Sequence, residues 1–158
     1  MNTVWSTAVE AVQKPPVQGY PTGWRVFLRA LALEMEAQAG PAATAAVLRA
    51  AGQQMARLAA LPPVGSMEAL ELEMNAVLTE IGWGSVRLAM NEAERCVVLD
   101  HTGLPQVGSA GEPAGTWLAP VLEGLYQDWM GQQPGADESL RARLQHCGSS
   151  ITIRYGRL

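Results

Sequence analysis

Charge is scarce in this sequence. Asp, Glu, Lys and Arg make up 16% of its 158 residues, against about a quarter in an average soluble domain. Apolar residues reach 48%, enough to bury a sizeable core, so disorder is excluded as the overall state. The resulting surface is unusually neutral for a small monomer. Either Ala, Gly, Gln and Ser cover much of it, or other subunits do.

Other absences narrow the field. Eleven basic and 15 acidic residues give a net charge of −4, with no basic run. Phosphate neutralisation, and with it nucleic-acid binding, is not expected. No apolar stretch approaches the roughly 18 residues that span a membrane, so direct membrane insertion is not expected. The first cation, Lys14, follows the weakly apolar start instead of preceding it. That is the reverse of a secretory leader, so export by that route is not expected. Two cysteines, Cys96 and Cys147, are too few for a disulfide scaffold. The expected compartment is the reducing cytosol.

The chain divides into an arm, residues 1–23, and a single domain, residues 24–158. Pro15, Pro16, Pro21, Gly19 and Gly23 exclude a long helix in the arm. Three helices are expected next. Trp24, Phe27, Leu28, Leu31 and Met35 form the apolar stripe of the first, which Gly40-Pro41 ends. The second is Ala-rich to about Ala60, with Leu48, Ala51, Met55 and Leu58 on one side, and its small side chains admit a close neighbour. Ser66 caps the third, whose stripe is Met67, Leu70, Met74, Val77, Leu78 and Ile81. Its other side carries Glu68, Glu71, Glu73 and Glu80 with no basic residue, the pattern of a solvated or partner-facing surface.

The period then changes to two. Ser85–Asn91 and Arg95–His101 read as an antiparallel hairpin, and Leu140–Cys147 with Ser150–Tyr155 as a second. Between them lie a Gly/Pro-rich loop, Thr102–Gly115, and a helix over about Thr116–Met130. Its core face is Leu118, Val121, Leu122, Leu125 and Trp129, and Pro120 must lie in its first turn. The fold class is α+β, an N-terminal layer of three helices followed by a small antiparallel sheet crossed by one helix.

Sites of chemistry are hard to assemble from these residues. Cys96, His101, His146 and Cys147 all fall on strands, but odd offsets send neighbours to opposite faces, and no CxxC or HxxxH pair exists. No metal site is expected. Asp100-His101 diverge for the same reason, and no GxSxG elbow is present. The loop Gly108–Gly115 precedes a helix but holds no cation, and Glu112 would repel phosphate. No catalytic residue and no cofactor is therefore assigned. Trp5 in the arm is read as a docking plug or a sugar-stacking ring.

Residues 104–126, LPQVGSAGEPAGTWLAPVLEGLY, closely resemble the signature of the bacterial cellulose synthase operon protein D family. Leu70–Val86, LELEMNAVLTEIGWGSV, is similar to the family's LQIELNALL-xx-I-x-W-G pattern, and Trp129 with Gln133-Pro134-Gly135-Ala136 continues the match. The resemblance implies an accessory role without catalysis. It implies a homo-octamer, a tetramer of dimers, with N-termini inside the ring. The implied partners are the cellulose synthase complex, a proline-rich accessory protein and β-1,4-glucan. The implied location is cytoplasmic, at the inner-membrane complex, with a periplasmic site as the alternative. Within the signature, Gly108, Gly111, Gly115, Trp117 and Tyr126 are expected to be architectural. Asn2, Thr3 and Trp5 are candidates for glucan contact. Two other readings compete: a monomeric or dimeric ligand-binding module with an apolar pocket, and a glycan-processing enzyme relying on Glu112 or Glu123.

Overall fold

A computed structural model of the chain describes residues 22–105 and 116–157. The elements run α1 (Thr22–Leu58), α2 (Met67–Ile81), β1 (Ser85–Asn91), β2 (Cys96–Thr102), a 3-10 turn (Thr116–Leu118), α3 (Ala119–Gly131), β3 (Arg141–Cys147) and β4 (Ile151–Gly156). This is the expected α+β arrangement. The boundary expected at Gly40-Pro41 is present as a kink within α1. No loop separates the first two helical segments. Gly40 alone leaves helical geometry, at φ 78° and ψ 167°, a conformation that suits a residue without Cβ, and Pro41 opens the next segment.

α2 is fixed at both ends by its own sequence. The Ser66 hydroxyl accepts the Ala69 N–H at 3.1 Å, and Gly82, left-handed at φ 70°, closes the helix. Leu70, Met74 and Leu78 are its buried stripe. In α3, Pro120 lies in the first turn as required. Burial extends almost around that helix, from Ala119 through Trp129. A helix apolar on nearly every side belongs between two layers, and α3 lies between the second half of α1 and the sheet.

The sheet is antiparallel in the order β1-β2-β4-β3, so the two hairpins join through β2 and β4. The registers align side chains in rows across all four strands. One row is Leu88, Leu99, Ile153 and Leu144. A second is Val86, His101, Ile151 and Cys147. Both rows point to the core through Leu88, Leu99, Ile153, Val86, His101 and Ile151. The opposite face is polar. There Thr152 donates to Asp100 at 2.7 Å, and Arg154 pairs with Glu94 at 3.2 Å.

Two expected stripes are corrected. Among the described side chains of the first helical segment only Leu28 joins the core, while Leu31 is 44% exposed and Phe27 is more than half exposed. The side chain of Trp24 lies outside the described residues. In the second segment Ala51 and Leu58 are exposed, and the buried residues are Thr44, Gly52 and Ala56. The face is rotated because Gly52, not a larger apolar residue, meets α3. A Cβ on Gly52 would collide with the Val121 carbonyl, and one on Gly124 with the Arg49 carbonyl. The two helices cross backbone to backbone, as the run of small side chains suggested.

Candidate functional site

The second half of the 104–126 segment builds α3, and its polar side chains set the geometry of the molecule's centre. Glu123 is 6% exposed. Its Oε2 accepts both Nε and Nη2 of Arg49, at 3.0 and 2.6 Å, and its Oε1 accepts the Leu144 N–H at 2.6 Å. One carboxylate thus ties α1, α3 and β3 together. Such a buried charge is tolerated because each oxygen has a donor. One turn later Gln127 donates to the Leu140 carbonyl at 3.2 Å and accepts the Ala142 N–H at 2.8 Å. Asp128 accepts from Arg57 at 3.2 Å, and the Trp129 indole donates to the Ala59 carbonyl at 2.9 Å.

Tyr126 is fully buried and hydrogen-bonded to Nδ1 of His101. The other ring nitrogen of His101 lies 2.8 Å from the Trp83 carbonyl. A carbonyl only accepts, so Nε2 carries the proton and Nδ1 accepts from the tyrosine hydroxyl. Burial lowers the His101 pKa to about 4, against the opposing bond to Trp83. Burial also raises the Tyr126 pKa. Both groups are neutral at pH 7, and together they link α3 to β2 and to the corner after α2. Nothing in the sequence pairs these two residues. The only signal was a histidine on the inward face of a strand.

The anticipated residues are placed as follows. Trp117 is half-buried in the 3-10 turn and packs on the core, and Tyr126 lies at its centre. Gly108, Gly111, Gly115 and Glu112, and likewise Asn2, Thr3 and Trp5, lie outside the described residues. Cys96 is buried against Gly156, while Cys147 is half-buried. Glu71 is corrected. Its carboxylate is not part of a solvated row but accepts the Leu88 N–H at 2.6 Å. Among the described residues no group of three His, Cys, Asp or Glu is placed to hold a metal. No described helix is long and apolar enough to cross a membrane. A polar groove of about 500 Å³ lies where α3 ends, beside Asp137, Arg141 and Tyr155.

Comparison with known proteins decides the family. A sequence profile of the cellulose synthase D subunit matches residues 16–156. The chain belongs to the cellulose synthase D-subunit family. Similar proteins include "Cellulose synthase operon protein D" of Komagataeibacter xylinus and that of Komagataeibacter sucrofermentans. Each is 49% identical over 111 residues, covering 70% of this chain and 71% of the relative. Another K. xylinus protein of that name is 45% identical over the same length. Membership in this family supports a role in bacterial cellulose synthesis. The matched region spans Arg49, Glu123 and the His101–Tyr126 pair, so the central network lies inside the family domain.

Proposed function

We propose that this chain is a non-catalytic accessory subunit of a bacterial cellulose synthase. It assembles as a homo-octameric ring, a tetramer of dimers, that guides or aligns glucan chains during export and crystallisation. It sits in the cytoplasm at the inner-membrane synthase complex, alongside a proline-rich partner. The observation that carries this reading is the commitment of α3. Glu123, Tyr126, Gln127, Asp128 and Trp129 all spend their polar atoms on internal bonds. The described end of the recognisable stretch, with the rest of α3, thus turns these polar groups inward, which supports an architectural role. In an acid–base site, by contrast, a carboxylate or phenol would face substrate.

A second feature supports assembly. Val26, Leu31 and Leu33 on the first segment of α1 are 65%, 44% and 57% exposed. Apolar area of this kind on an otherwise charge-poor chain is suited to contact between copies. Asn2, Thr3 and Trp5 remain the proposed glucan contacts.

The test is the native mass by light scattering on a sizing column. Eight chains of 16.9 kDa give about 135 kDa, the expected result. One or two chains at micromolar concentration would overturn the pre-formed ring and favour a small ligand-binding module.

A further inference from the structure

The first half of each outer strand of the sheet is covered by the same device. At the β1 edge, Asn75 accepts the Val86 N–H and donates to the Val86 carbonyl, each at 2.8 Å. One turn earlier on α2, Glu71 accepts the Leu88 N–H at 2.6 Å. At the β3 edge, Gln127 donates to the Leu140 carbonyl and accepts the Ala142 N–H. One turn earlier on α3, Glu123 accepts the Leu144 N–H. In each case a carboxylate is followed four residues later by a carboxamide, and the pair covers alternate backbone groups of an outer strand.

The geometry explains the spacing. Residues four apart on a helix share a face about 6 Å apart along the axis. Alternate residues on a strand, whose N–H groups point to the same side, repeat every roughly 6.7 Å. A Glu-x-x-x-Asn or Glu-x-x-x-Gln pair therefore nearly matches the ladder it covers. A carboxamide has the donor and acceptor of a peptide group. Asn75 exchanges both bonds with one residue, as an antiparallel neighbour does, and Gln127 straddles two, as a parallel neighbour does.

Unpaired edges are templates for another strand. We infer that Glu71/Asn75 and Glu123/Gln127 are strand surrogates that close both edges to a second copy of this chain, leaving association to other surfaces. This goes beyond the proposed cellulose role and does not depend on it.

The test compares full-length wild type with the double variant Glu71→Ala/Asn75→Ala. Particle mass is measured by light scattering, folding by circular dichroism, and edge protection by hydrogen exchange at the Val86 and Leu88 amides. Expected is a folded variant in which, at high dilution, both amides exchange about tenfold faster or more. On concentration it forms particles larger than wild type, in which those amides are protected again. A folded variant that keeps the wild-type mass overturns the inference. So do larger particles in which the two amides stay unprotected, because association then uses another surface. If the double variant does not fold, Asn75→Leu and, at the other edge, Gln127→Leu keep the helix and the volume and are judged by the same outcomes.

Discussion

Gly52 and Gly124 face each other where α1 crosses α3, so close that a Cβ on either would strike the backbone of the opposite helix. The neighbouring Arg49–Glu123 pair then reaches bonding distance. Gly124→Ala is expected to cost about 3 kcal/mol, because the helices must part and overpacking spreads into the core. Ala is otherwise the better helix former, so a rise in melting temperature would contradict the crossing. Denaturant unfolding of the variant checks this.

The His101 pair gives stability a pH dependence. Its folded pKa of about 4 lies below the ordinary value of 6.5. The unfolded chain therefore takes up the proton first as pH falls. Stability is full above about 6.5, declines between 6.5 and 4 as acid is added, and levels off below. The loss attributable to this group is about 3 kcal/mol. In His101→Phe the slope across that window should shrink. An unchanged slope would assign the acid sensitivity to carboxylates instead.

Tyr126→Phe removes one hydroxyl and leaves Nδ1 of His101 buried without its donor. The expected cost is about 2 kcal/mol, larger than a typical exposed hydroxyl deletion. The variant should also raise the His101 pKa toward 6.5 if water enters the gap, which imidazole NMR shifts would report.

Arg49→Met tests the three-way tie at Glu123. The carboxylate keeps the Leu144 N–H but loses its cation, and destabilisation of about 3 kcal/mol is expected. Pairing the change with Glu123→Gln should recover part of the loss, because the amide oxygen still accepts from Leu144 without a buried charge. Strict additivity in that cycle would mean the two side chains do not interact.

Much of the architecture was legible from local pattern. Ser66 and Gly82 bound α2, Pro120 occupies the first turn of α3, and alternation from Val86 to Met90 marks a strand. Each is a statement about a few consecutive residues. The first stripe misled because helical periodicity shows that a face is apolar, not what covers it. Phe27 and Leu31 have the spacing of core residues and are exposed on the protomer. The Glu row misled in the opposite sense. Glu71 reads as one solvated acid among four, yet its oxygen completes a strand 17 positions later.

Helix ends, strand alternation, the α+β order and the family signature were set by the sequence alone, because they depend on neighbours along the chain. The glycine crossing, the His101–Tyr126 pair, the buried Glu123 and the partly covered sheet edges were decided only by the tertiary structure. Their partners are distant, 74 positions apart for Arg49 and Glu123. A hydrogen bond needs both groups within about 3 Å, and the packing of α3 between α1 and the sheet brings them there.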